Sequence, residues 1–222
     1  MIADLLPVAL AVTLSPVPII AVVLILATPR ARLNGPAFAV GWVAGLLAAS
    51  VVVLAIAGDA AADPDSGTAA ATDWARVAVG AAFWLLALKT WRGRPAPGET
   101  AELPGWMSTI ATAGPARALA LGLGVSAANP KNLALTATAA AAIAQAGLDG
   151  ADEAIAVGAF VAIGSISVVG SVGLYLADAD RAAAPLASIQ RFMTDNNTAI
   201  TMVILILLGA TVLGTGIAGL QG

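Results

Sequence analysis

Neither cysteine nor histidine occurs in the 222 residues, and only 10% of them are Asp, Glu, Lys or Arg. Without thiolate or imidazole there is no disulfide, no ordinary zinc or haem site and no histidine-based acid–base catalysis. The scarcity of charge is as informative. A soluble domain carries about 25% charged residues. A chain that is 59% hydrophobic, with a mean hydropathy of +0.93, cannot cover a water-facing surface. Also lacking are a glycine-rich phosphate loop, a nucleophile constellation and a paired membrane carboxylate, so catalysis has no candidate residues. No cofactor, metal or nucleic-acid partner is expected. Met1 to Asp4 hold no Lys or Arg, so the basic start of a cleavable signal peptide is missing and the first apolar segment reads as a retained span.

What is present is a series of apolar segments. Six can be marked: Leu5–Ala27, Pro36–Ala57, Ala75–Leu88, Ala118–Ala146, Ala154–Leu176 and Ala199–Leu220. All but the third reach the roughly 20 residues that cross hydrocarbon. The third needs Trp74, Trp84 and Trp91 as interfacial anchors, with Lys89 snorkelling. The expected fold is an all-α membrane protein of one integral domain, residues 1–222. Between its halves, 1–95 and 115–222, lies a connector, 96–114. The loop around it, Trp91 to Pro115, holds Pro95, Pro97 and Pro104 and reads as flexible or surface-lying chain.

Charge alternates along the loops. The first holds Arg30 and Arg32; the second holds Asp59, Asp63, Asp65 and Asp73, a solvated acidic turn. The third holds Lys89, Arg92, Arg94 and Arg117, the fourth Asp149, Asp152 and Glu153, the fifth Arg181 and Arg191. Eight of the ten basic residues fall on one side, the exceptions being Arg76 and Lys131. The positive-inside rule then puts loops one, three and five in the cytoplasm and both termini outside.

Two helix breaks stand at matched places. Span one is interrupted at Ser15-Pro16-Val17-Pro18 and span four at Asn129-Pro130-Lys131-Asn132, an offset of 114 residues between Ser15 and Asn129. Span two opens with Ala37-Phe38-Ala39-Val40-Gly41 and span five with Ala154-Ile155-Ala156-Val157-Gly158, an offset of 117. Three spans per half is an odd number, so two like halves enter the membrane from opposite sides. Inverted repeats with broken helices are a transporter plan in which the ligand sits at the midplane. Lys131 lies there, in mid-span, where an ammonium is costly unless it faces partners or water. The candidate translocation site is therefore Ser15, Pro16, Pro18, Asn129, Pro130, Lys131 and Asn132. Asn129, Asn132 and carbonyls freed by Pro130 are the expected partners of the ammonium.

The remaining motifs read as structure. Gly41 and Gly45, and the run Gly164, Ser165, Ser167, Gly170, Ser171 and Gly173, fit close helix packing. If a serine lines a pathway, it is Ser165 or Ser167. Small-residue faces on both spans two and five exceed the needs of a six-helix monomer and suggest a two-fold homodimer. Asp195-Asn196-Asn197 reads as the cap of span six.

The Ser-Pro-Val-Pro of span one, the Asn-Pro-Lys-Asn of span four and the three-plus-three layout resemble the LysE superfamily of exporters, in which a Pro-x-Pro and an Asn-Pro-Lys occupy matching breaks. The opening from Leu5 to Ile20, with Ser15 where a Gly is usual, is most similar to one branch: the GAP family of glycopeptidolipid-addressing proteins and their sulfolipid-addressing relatives. The resemblance covers essentially the whole chain. It implies a multi-pass protein of the bacterial plasma membrane that moves a glycolipid precursor or small amphiphile outward by alternating access. Two alternatives are an amino-acid exporter and a non-transporting scaffold for glycolipid assembly. The charge of Lys131 suits an anionic substrate better than a cationic amino acid.

The orientation is directly testable, because the chain has no native cysteine. Single cysteines at positions 94 and 181 should resist a membrane-impermeant maleimide applied to intact cells, and one at position 63 should react. Labelling of position 94 from outside overturns the orientation.

Overall fold

Apolar side chains at most positions and prolines at a few dictate a bundle of helices, some of them interrupted. A computed structural model describes residues 2–61, 68–94 and 105–221. Among them are ten α-helices and no strand: α1 Ile2–Thr13, α2 Pro16–Leu26, α3 Ala31–Ala61, α4 Thr68–Arg92, α5 Pro115–Ala127, α6 Pro130–Gln145, α7 Gly150–Gly164, α8 Ile166–Ala177, α9 Ala179–Asp195 and α10 Asn197–Gln221. A 3-10 stretch, Gly105–Thr112, precedes α5. Each apolar segment of the sequence falls on one helix or on a pair in series.

The chain is a membrane protein by the length and apolarity of its helices. Ala31–Ala55 within α3 and Asn197–Gln221 are each able to cross a bilayer, and two bent pairs, Leu5–Thr13 with Pro16–Leu26 and Gly150–Gly164 with Ile166–Ala177, qualify if each is one broken span. The described residues thus contain two to four candidate spans. Two expected spans are not among them: the pair α5 and α6, and helix α4, which is 25 residues long but carries Asp73, Arg76, Lys89 and Arg92.

Glycine decides how closely the helices pack. Helix α3 lies on α5, and a Cβ placed on Gly41 would sit 2.1 Å from the carbonyl oxygen of Leu119. One on Gly122 would sit 2.2 Å from the carbonyl oxygen of Phe38, and one on Gly45 2.0 Å from Ser126 Oγ. Only the absence of a side chain lets the two backbones touch. Around this seam the core fills with Phe38, Trp42, Leu46, Val12, Ile20 and Phe160, all nearly inaccessible. The seam also corrects the basis of the dimer expectation. The glycine face of span two is used inside the protomer, while Gly170 and Gly173 meet nothing within 4 Å. The small-residue argument for association now rests on α8 alone.

Four further readings change. Asp73 is not part of a solvated turn. It lies within α4, is 7% exposed, pairs with Arg76 one turn on and packs where Gly219 of α10 leaves room. Loop five contains a 17-residue helix, α9, with Asp178 accepting at its start from the Arg181 N–H (3.1 Å) and Ala182 and Leu186 buried. Asn196 does not cap α10 with its side chain; Nδ2 donates to the Phe192 carbonyl (2.9 Å) and closes α9. The end of the connector is packed rather than surface-lying. Met107, Ile110 and Ala113 are buried, and Asn34 Nδ2 donates to the Ala113 carbonyl (2.9 Å). Residues 62–67 of the acidic loop and 95–104 of the connector lie outside the described residues.

Gly41→Leu should therefore force α3 and α5 apart at a cost of about 1–3 kcal/mol or more, the range for overpacking a filled core. Gly170→Leu, in open space, should cost little. Thermal unfolding of the two purified variants in detergent compares them directly; equal midpoints would contradict the packing described.

Candidate functional site

Proline fixes where two helices end. Pro16 and Pro18 have no N–H, so the carbonyls of Val12 and Leu14 lose their usual donors four residues on. The chain answers by a tight step, Ser15 N–H donating to the Val12 carbonyl (3.1 Å). It restarts as α2 with Ser15 in an extended conformation (φ −68°, ψ 120°), as a residue before proline prefers. The α1–α2 bend is 41°. At the second break Asn129 takes the same conformation (φ −74°, ψ 117°), followed by Pro130 at the first position of α6. Its Oδ1 accepts the Lys131 backbone N–H at 3.1 Å, so Asn129 is the N-cap of α6.

A third break carries no proline. Helices α7 and α8 meet at Ser165 with a bend of 57°, sharper than the proline break in span one. Ser165 has φ −100° and ψ −4°, the sparsely populated bridge region. The signal available in the sequence is the Gly164-Ser165 pair, a recognised cause of kinks without proline. The same pair serves close helix packing equally well, so the sequence alone does not single out a kink.

Side chains tie the three breaks together. Lys131 Nζ donates to Ser15 Oγ at 3.2 Å, joining the second break to the first. Thr13 Oγ1, at the end of α1, donates to the Ile163 carbonyl at 2.5 Å, joining the first break to the third. Asn132 is fully buried, and its Nδ2 reaches back across the second break to the Val125 carbonyl (3.2 Å). The expected partners of the ammonium are thus redistributed. Ser15 binds it, Asn129 binds the backbone N–H of the same lysine, and Asn132 binds the last turns of α5. Pro16 and Pro18 are close by in chain but contribute shape, not hydrogen bonds. Among the described residues no carboxylate pairs with Lys131.

Three buried polar atoms near these breaks have no partner among the described residues: Asn132 Oδ1, Thr136 Oγ1 and Ser165 Oγ. Asn132 and Thr136 are four apart on α6 and share a face. Buried polar groups are normally satisfied, so these three atoms stand out among the described residues. Thr136 was not singled out from the sequence; a threonine four residues after a motif in an alanine-rich helix carries no signal by itself. Ser167, the other serine considered for a pathway, receives the Ser171 hydroxyl at its carbonyl (2.6 Å), a contact within α8. The arrangement offers one cation, several hydroxyl and amide groups and the ends of broken helices.

Compared with known proteins, residues 5–218 match the sequence model of a family described as Sap, sulfolipid-1-addressing protein. Searches of curated proteins and of solved structures returned no match.

Proposed function

Because the chain belongs to the sulfolipid-1-addressing protein family, we propose that it moves an amphiphile with an anionic group, a glycolipid precursor or related lipid, outward across the bacterial plasma membrane. The observation that carries this reading is the 3.2 Å hydrogen bond from Lys131 to Ser15, two residues 116 apart, each beside a proline break. A scaffold has no need to hold an ammonium at such a place.

In this reading the protein is an exporter of LysE type with six spans in two inverted halves, α1 to α4 and α5 to α10, and both termini extracytoplasmic. Three features support the pairing of the halves. The two caps, Ser15 and Asn129, have nearly the same backbone angles. Helix α3 packs on α5 as α7 packs on α1, and α4 packs on α10, its counterpart. Alternating access would come from rocking one half on the other, with the breaks absorbing the change in angle. Lys131 would receive the anionic group. Asn132, Thr136 and Ser165 would meet hydroxyls of the head group. The apolar tail needs no site of its own inside the polar seam, because the bilayer can hold it. A lysine or arginine substrate would bring a second cation to Lys131 with no carboxylate to balance it, which ranks an amino-acid exporter lower. The homodimer belongs to the same proposal, and no catalytic step is assigned.

Lys131→Ala tests the reading. It removes a charge that is costly to bury, so protein level and thermal stability should be preserved. Export of a labelled anionic amphiphile from cells, or its uptake into inverted vesicles, should fall by about tenfold or more, the worth of one charge-assisted hydrogen bond in a desolvated site. Lys131→Arg should rescue only in part, since the planar guanidinium is bulkier. Wild-type flux in Lys131→Ala at normal protein levels contradicts the proposal. No flux from the wild-type protein in liposomes would favour the scaffold instead.

A further inference from the structure

A cavity separate from the central seam lies between α4 and α10. Trp84, Ala87, Leu88 and Trp91 face Met202 and Ile206 around a volume of about 350 Å³. Its wall is fixed by chemistry. Trp84 Nε1 donates to the Ile206 carbonyl at 3.2 Å. The ring can lie against α10 because residue 209 is glycine; a Cβ there would fall 2.3 Å from Trp84 Cδ1. Trp84 is 49% exposed and Trp91 45%, so the slot opens sideways from the bundle. Seven residues of helix separate the two indoles, about 10 Å along the axis.

One end of the slot is cationic. Lys89, Arg92 and Arg94 fall within six residues that contain no acid. Arg94 is held over the mouth: Nη1 donates to the Trp91 carbonyl at 3.0 Å, and Cζ stands 3.9 Å from the Trp91 ring centroid, a cation–π contact. Ile206 meets Trp84 while Gly219, farther along α10, meets Asp73 near the start of α4, so the two helices run antiparallel. Helix α9, with Arg191 and, at its last position, Asp195, leads into α10 at the same end, so the cationic surplus there comes from Lys89, Arg92 and Arg94. An apolar slot that opens laterally and ends at a cluster of cations matches one kind of molecule along its length. A free anion would gain nothing from the slot, and an uncharged lipid would gain nothing from the cations.

We propose that the α4–α10 slot binds an anionic phospholipid of the bilayer. One acyl chain lies along Trp84, Leu88 and Ile206, and the phosphate head meets Arg92 and Arg94. The site is distinct from the Lys131 seam, and it would serve a transporter and a scaffold alike, so it stands independently of the transport reading.

Native mass spectrometry of the full chain, purified in detergent and offered equal amounts of phosphatidylglycerol and phosphatidylcholine, tests this. One phosphatidylglycerol should be retained per chain in preference to phosphatidylcholine. Arg92→Gln with Arg94→Gln should lower that preference by about tenfold or more. Both arginines are exposed, so this variant should fold normally. Ile206→Trp, which fills the slot, should lower retention of either lipid. In a second readout, phosphatidylglycerol with brominated acyl chains should quench tryptophan fluorescence saturably, and Trp84→Phe with Trp91→Phe should remove the saturable part. Equal retention of the two lipids by the wild-type chain, or undiminished preference in the arginine variant, overturns the proposal. So does efficient disulfide formation between protomers carrying a cysteine at position 88, which would put a second copy of the chain in the slot.

Discussion

Inside hydrocarbon every backbone N–H and C=O must find a partner within the protein, and a helix that breaks there creates several orphans at once. This chain breaks three helical segments and places the breaks side by side. Lys131 joins the second to the first through Ser15, and Thr13 joins the first to the third through the Ile163 carbonyl. Each break supplies what another lacks: a hydroxyl for an ammonium, a carbonyl for a hydroxyl. The rest of the molecule holds these interruptions in register. The glycine seam of α3 and α5 is the clearest case. It brings the backbone ahead of the second break within contact of a long unbroken helix, so α5 cannot drift while α6 restarts.

The same economy of side chains explains why the polar seam contains so few charges. Caps, hydroxyls and amides do most of the pairing, and one cation stands among them. A site of this kind can accept an anionic group without burying a permanent ion pair, whose desolvation is expensive. Some buried polar atoms near the breaks, Asn132 Oδ1, Thr136 Oγ1 and Ser165 Oγ, have no partner among the described residues. An amphiphile with a hydroxylated, anionic head fits that chemistry.

Much of this was legible in the sequence, and the exceptions have physical causes. Proline announces a break wherever it falls, because the missing N–H is a property of the residue; Ser15, Pro16, Asn129 and Pro130 could be placed without a structure. Matching the breaks pointed to Lys131 as a polar centre, but its bond to Ser15 and the particular hydrogen bonds of Asn129 and Asn132 did not follow, since cap and side-chain geometry depends on torsions that a motif does not specify. The break at Ser165 was hidden. Glycine and serine permit a kink without requiring one, and the same residues serve close packing. Helix α9 was missed because its apolar face is only two buried residues wide, at Ala182 and Leu186, and Pro185 disguises it as loop. Asp73 was misread because an acid near a span end looks solvated until its partner, Arg76, and the space beside Gly219 are seen together. The division of Gly41 from Gly170, one a contact and the other open, is invisible in a run of small residues.

If the breaks hold the translocation site proposed above, the space between them is reached by water in the working cycle. Cysteine substitution at Ser165 addresses it most directly, in a chain with no other thiol. Ser165 is 3% exposed and its hydroxyl has no partner; Val168, one turn on in α8, is fully buried in the apolar core. In native membranes, a small charged methanethiosulfonate reagent should modify Ser165→Cys, and an excess of the transported amphiphile should slow the reaction. Val168→Cys should remain unreactive. If Ser165→Cys is as inert as Val168→Cys from both sides of the membrane, with the protein folded and at normal abundance, the breaks enclose only a packed core and the account is wrong.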